Sequence, residues 1–214
     1  WRLPVQYEGV LAEHRRCRSE AVLFDTSHMG FLLFRGRDAA SALARVCTQD
    51  ATDLAVGRGR YGFLLNEDAG VLDDAILMRP GEQEFLLVVN AGTLEDDWAW
   101  IRSHLEGDVE AENLSAGGWG KVDLQGPASA RVLAQRTDAD LSGLRYFGVT
   151  RARCCGKQCI LSRTGYTGEL GYEIIGPGAD LPAVFEELLS ADEVVPAGLG
   201  ARDSLRLEMC YPLY

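Results

Sequence analysis

Lysine is almost missing from this chain. Only Lys121 and Lys157 stand among the 21 basic residues, so nearly all positive charge is arginine, a skew we read as coding bias. Positive charge as a whole is short too: 32 acidic residues leave a formal net charge of −11 over 214 residues. So acidic a chain lacks the basic face that nucleic acid requires, and anionic lipid would not attract it. No nucleic-acid or membrane partner is therefore expected, while small molecules and partner proteins stay open. No apolar run approaches the roughly 20 residues of a membrane helix, and no secretory signal is visible. The first residue is Trp1 rather than Met, which leaves a removed targeting segment open. Metal-binding spacing is also lacking. Cysteines occur at 17, 47, 154, 155, 159 and 210, yet the cluster Cys154-Cys155-Gly156-Lys157-Gln158-Cys159 is not CxxC, and no second cluster completes four ligands. No metal is expected. Cys155 and Cys159 read as small reduced thiols flanking a Gly156-Lys157 turn, and a reducing, cytoplasmic compartment is the simpler expectation.

What is present is a 47% hydrophobic, 25% charged composition, enough for a sizeable core. The segment Ser162-Arg163-Thr164-Gly165-Tyr166-Thr167-Gly168-Glu169-Leu170-Gly171-Tyr172-Glu173 is the most informative. Glycine permits close approach, tyrosine offers a flat face with a polar tip, and a carboxylate reads paired N–H donors. Together they suit a flat, nitrogen-rich heterocycle; a glycine-rich hairpin is the plainer alternative.

Hydrophobic periodicity predicts a charged surface helix from Leu11 to Ala21, followed by Val22-Leu23-Phe24. Strands are predicted over 30–36, 61–66, 73–78 and 84–90. A helix capped by Thr93 carries the stripe Leu94, Trp98, Ile101 and Leu105. Further strands are predicted over 121–124, 152–155, 158–163 and 172–175. A helix capped by Asp180 and a last helix over 199–209 follow. Hairpins dominate and no regular βαβ period appears. The fold class is therefore α+β, with two packed lobes of mainly antiparallel sheets flanked by helices. The first lobe covers about 30–115; the second covers about 116–214 plus the N-terminal segment.

Ordered motifs accumulate along the chain: Pro4-Val5-Gln6-Tyr7, Phe24 to Gly30, Leu65 to Asp74, Val88-Val89-Asn90-Ala91, Leu124-Gln125-Gly126-Pro127, Tyr146-Phe147-Gly148, Arg163 to Glu173, and Pro196 to Glu208. With these the chain resembles the aminomethyltransferases, the T-proteins of the glycine cleavage system, over essentially its whole length. The resemblance implies a folate-binding domain over 1–214. Both ends fall inside family motifs, so a fragment lacking the family's C-terminal β-barrel domain is expected.

The implied chemistry moves a methylene carbon. An aminomethyl group on the lipoyl sulfur of a carrier, the lipoylated H-protein, loses ammonia, and its carbon comes to bridge N5 and N10 of the co-substrate tetrahydrofolate. No metal or redox cofactor is implied. The first Asp of the Leu-Asp-Asp motif, Asp73, is implied as the catalytic acid/base. On an extended strand Asp73 and Asp74 point to opposite faces, so that one meets a pocket while the other meets solvent or caps the loop. Glu173 is implied as the carboxylate that reads the pterin, and Tyr166 as a wall of the folate site. Tyr61, Asn90, Phe147 and Tyr211 match folate-proximal positions, with Tyr146 adjacent to Phe147. Arg202 is implied to bind the folate carboxylate tail, and Arg206, four residues on, to be a structural ion-pair partner. His28 reads as structural.

Other readings stay open at this point. A related tetrahydrofolate-dependent demethylase, or the folate domain of a sarcosine- or dimethylglycine-oxidising protein, would share the pocket. A non-catalytic folate-binding relative is disfavoured by Asp73 and by the tyrosine at 166.

Overall fold

The computed structural model describes residues 2–214. The chain forms two compact units, one from the N-terminal segment through Ser27 with Gly120–Leu213, the other from His28–Trp119 with Tyr214. The first unit opens with α1 (Val10–Ser19) and β1 (Ala21–Asp25). The second runs β2 (Gly30–Arg35), α2 (Ala39–Val46), β3 (Arg58–Leu65), β4 (Val71–Gly81), β5 (Glu84–Val89), α3 (Leu94–His104) and β6 (Glu110–Asn113). The remaining elements are β7 (Trp119–Gln125), α4 (Ser129–Ala134), β8 (Val149–Cys154), β9 (Lys157–Ser162), β10 (Gly171–Pro177), α5 (Leu181–Leu189), β11 (Val194–Pro196) and α6 (Leu199–Glu208).

In the second unit the sheet order is β3-β4-β5-β2-β6, and the described pairings are antiparallel. Strand parity sorts the side chains. Ala75 and Leu77 of β4, Leu87 of β5 and Phe34 of β2 join Leu43 of α2 and Ile101 of α3 in one core. The predicted α3 stripe holds: Leu94, Trp98, Ile101 and Leu105 all pack there. The predicted cap does not, because Thr93 makes no side-chain cap bond and its hydroxyl donates instead to Asp73 Oδ2 at 2.9 Å.

The first unit's sheet runs β11-β1-β7-β10-β9-β8. Its β1–β11 pair is parallel, while β1–β7, β9–β10 and β8–β9 are antiparallel. One face is apolar: Leu23, Val122, Leu124, Tyr172 and Ile174 pack with Val132 of α4 and with Val184 and Leu188 of α5. The alternate positions of β7, β9 and β10 carry buried polar groups, namely Lys121, Asp123, Gln125, Ser162 and Glu173. Polar side chains so enclosed require partners.

Helix α1 is less of a surface element than its charge predicts, because Glu13 and Cys17 are buried. Glu13 Oε1 accepts from the backbone N–H groups of Tyr7, Glu8 and Gly9 at 2.6, 2.9 and 3.2 Å, and Oε2 accepts from that of Gly198 at 2.8 Å. Burial pushes the carboxyl pKa up, but these bonds outweigh it and hold Glu13 below the usual value.

The predicted Gly156-Lys157 turn is displaced by one residue. Cys155 and Gly156 have φ of 52° and 76°, as a two-residue turn with positive φ at both central positions demands. Lys157 already belongs to β9, opposite Cys154. Its Nζ lies 2.8 Å from Asp180 Oδ1, so the Asp180 carboxylate pairs across rather than capping α5.

Candidate functional site

The glycine-rich segment wraps one side chain. A Cβ on Gly165 would come within 2.0 Å of Gln125 Oε1, and one on Gly171 within 2.2 Å. Gln125 Nε2 donates to the Thr164 carbonyl at 3.1 Å, and Thr167 Oγ1 donates to Gln125 Oε1 at 2.9 Å. The glycines thus admit a buried amide that fastens the loop to β7. Above it lies a cleft of about 390 Å³ lined by Tyr146, Arg163 to Gly165, Gly168 to Gly171, and Tyr211.

Under this cleft sits an ionic cluster. Glu173 Oε1 pairs with Lys121 Nζ, and Glu173 Oε2 accepts from Thr164 Oγ1. Lys121 Nζ is 3.1 Å from Asp123 Oδ1, which also accepts from Thr26 Oγ1 at 2.8 Å. Arg202 Nη1 donates to Asp123 Oδ2 at 2.9 Å. Its guanidinium lies 4.9 Å from the centre of the Tyr166 ring. Tyr166 stacks on Tyr211 with ring centroids 5.9 Å apart, and its hydroxyl donates to the Pro212 carbonyl. Of the residues singled out in this unit, Glu173, Arg202, Tyr166 and Tyr211 therefore form one contiguous group. Arg206 instead pairs with Asp203 at 2.8 Å.

Phe147 stands apart. It occupies a turn at φ 57°, and Tyr146, not Phe147, lines the cleft. Burial, then Tyr211 and Glu173, push the Tyr146 phenol up. The adjacent pair of aromatics was the available signal, but sequence alone does not say which ring turns inward. Lys121 and Asp123 were also missed. Their i, i+2 spacing on a strand ending at Gln125 marked a shared face, but the near-absence of lysine elsewhere obscured it.

In the second unit the two aspartates part company. Asp73, singled out as the acid/base, has 0% exposure. Its Oδ2 accepts from the Asn90 backbone N–H and from Thr93 Oγ1, both at 2.9 Å, and Oδ1 accepts from Asn90 Nδ2 at 2.7 Å. Asp73 is thus wholly enclosed, its oxygens taken up by Asn90 and Thr93. Asp74, one residue on and on the opposite face, is half-buried. Its Oδ1 accepts from Asn90 Nδ2 at 2.5 Å, and Oδ2 accepts from the Tyr61 hydroxyl at 2.8 Å. Tyr61 is 41% and neighbouring Phe63 37% exposed, and their rings meet edge to face at 5.5 Å. The structure thus gathers Tyr61 and Asn90 around Asp74, with Asp73 behind.

The α+β fold thus carries a carboxylate–amide–phenol group in its second unit and an aromatic-lined cleft over an ionic cluster in its first. The GCVT N-terminal domain family matches residues 1–214, and the chain belongs to that family. Among curated relatives, the aminomethyltransferase of Geobacillus kaustophilus (strain HTA426) is 44% identical over 218 residues, covering 100% of this chain and 60% of that protein. That of Listeria monocytogenes serotype 4b (strain F2365) is 44% identical over 215 residues, covering 100% and 59%. The chain thus spans about 60% of the length of these relatives. Among solved structures, the glycine cleavage system aminomethyltransferase T from Bartonella henselae superposes with a TM-score of 0.92 at 39% identity, covering 100% of this chain and 58% of that one. A heterotetrameric sarcosine oxidase from Corynebacterium sp. U-96 shares the fold alone, at a TM-score of 0.60 and 19% identity over 92% of each chain.

Proposed function

We propose that this chain is the folate-binding part of an aminomethyltransferase. It moves the methylene carbon of an aminomethyl group on a lipoylated carrier protein to tetrahydrofolate, with release of ammonia. The observation that carries the reading is the half-buried Asp74 carboxylate, fastened by the Tyr61 hydroxyl and the Asn90 amide. Family membership and relatives named aminomethyltransferase support it.

Bonds from Tyr61 and Asn90 fix the rotamer of Asp74 and leave lone pairs for a substrate N–H. A positioned carboxylate accepts that proton and favours positive charge on the carbon being moved. We assign this acid/base role to Asp74 rather than Asp73, whose part is to hold Asn90. Glu173 takes the role of pterin acceptor, with Lys121 fixing one oxygen and Thr164 the other. Tyr146, Tyr166 and Tyr211 supply flat walls, and Arg202, steadied by Asp123, takes the carboxylate tail.

The test is a transfer assay with the purified full-length protein, aminomethyl-loaded carrier and tetrahydrofolate, quantifying ammonia and methylene-tetrahydrofolate. Asp74→Asn should lower turnover about 100-fold or more, the ordinary contribution of a positioned acid/base, and leave folate affinity within a few-fold. Undiminished turnover in Asp74→Asn would remove the role of Asp74. Folate binding without either product would move the protein to a different one-carbon donor.

A further inference from the structure

Behind Asp74 and Asn90, helix α3 brings a second buried acid against Asp73. Asp97 is 2% exposed, and its side chain hydrogen-bonds that of Asp73, carboxyl to carboxyl, with the Thr93 hydroxyl also within reach. Asp97 Oδ2 has no donor of its own among the described residues. Two carboxyl groups in contact inside a core need a shared proton, because both cannot ionise at that separation. Every donor that Asp73 accepts from Asn90 and Thr93 is accounted for. A hydrogen on Asp97 Oδ2 supplies the partner that this buried oxygen otherwise lacks.

We propose that Asp97 is a positioning residue of the Asp74 group: its carboxylic acid donates to Asp73, which holds Asn90 in the orientation from which the amide fastens Asp74. The inference rests on the functional reading of Asp74 given above. The titratable groups acting on Asp97 are Asp73 from β4, Asp96 from its own helix and the Cys47 thiol at the end of α2. Burial pushes Cys47 up to about 12, so it stays a neutral thiol. The α3 N-terminus favours negative charge, but burial and then Asp73 outweigh it and raise Asp97 to about 8. The acid is thus protonated at neutral pH and ionises just above it. The second charge then repels Asp73 and loosens the Asn90 amide.

The sign of the stability effect follows from linkage. Asp97 is raised in the folded state from 3.8 to about 8, so its contribution is complete below pH 3.8, declines as pH rises to about 8, and is constant beyond. Asp97→Asn keeps a donor toward Asp73 at every pH and has no proton to lose; Asp97→Leu has no donor at all. In thermal unfolding of the full-length protein, Asp97→Asn should gain on wild type between those two pH values and keep a constant lead above them. In the transfer assay wild type should lose about tenfold per pH unit above its pKa, whereas Asp97→Asn should show no such loss. Asp97→Leu should be slow at every pH, with Asp97→Asn recovering most of the neutral rate. A constant difference in melting between wild type and Asp97→Asn across the range would overturn the shared proton. A flattened melting profile with the alkaline loss of turnover retained would overturn the positioning role. Undiminished transfer by Asp74→Asn, in contrast, removes the role of Asp74 while the melting comparison still decides the proton.

Discussion

Two buried acidic clusters in this chain are held by different means. In the first unit, Glu173 and Asp123 are matched by Lys121 and Arg202, with Thr26 and Thr164 hydroxyls on the remaining oxygens. In the second, Asp73 takes amide and hydroxyl donors from Asn90 and Thr93 and meets Asp97 through the proton proposed on Asp97. In the first cluster the counter-charge comes from two fixed basic side chains, Lys121 and Arg202. A shared proton makes the second sensitive to mild alkali. The two devices do the same local work, which is to hold a side chain that has a proposed role in binding or transfer: Glu173 in one case, Asn90 and Asp74 in the other.

The comparison breaks most sharply at Lys121. Lys121→Met leaves two buried carboxylates short of a cation, and removing one partner of a buried pair costs about 3–5 kcal/mol, measurable in denaturant unfolding. A double variant Lys121→Met/Glu173→Gln should recover much of that loss. At the second cluster, Asp73→Asn turns an amide donor toward the Asn90 or Thr93 donors and should cost about 1–3 kcal/mol, the penalty of leaving a buried polar group unsatisfied. It also removes the like charge beside Asp97, whose titration should fall from about 8, visible in the carboxyl infrared band as a function of pH. Gly171→Ala pushes a methyl into Gln125 and should cost about 1–3 kcal/mol, whereas Gly171→Ala with Gln125→Ala should cost less than the sum of the two single changes. Glu13→Gln sharpens the contrast at acid pH. Because the Glu13 carboxyl is held below its ordinary value, its contribution is present above the unfolded pKa and lost as pH falls through the folded one. Wild type should therefore lose stability relative to Glu13→Gln on acidification below about pH 4.5. The smallest effect belongs to the exposed pair: Asp203→Asn frees Arg206 from a partner that is 54% exposed and should cost less than about 1 kcal/mol.

Much of the architecture was legible in advance. The α3 stripe, the hairpin-dominated order and the α+β class follow from hydrophobic period, which depends only on neighbouring residues. Boundaries that depend on backbone sign or on distant partners were not. The β8–β9 turn slipped by one residue because Cys155, a non-glycine residue, takes positive φ. Strands β6 and β11 went unread; Glu110–Asn113 is too polar to declare itself, and Val194–Pro196 is short and ends in proline. Glu13 looked like one more surface charge on α1, and only its backbone donors explain its burial.

The candidate site divides the same way. The sequence by itself determined which side chains were worth watching, the pair Asp73-Asp74, the glycine-rich loop and the arginine-bearing last helix, because unusual residue types at fixed spacing are local facts. Strand parity even required the two aspartates to face apart. Only the tertiary structure decided which face is covered. Helix α3 and the Asn90 backbone close over Asp73, whereas Tyr61 and Asn90 leave Asp74 half open. That choice lies in the packing of elements distant in sequence, and no local pattern encodes it.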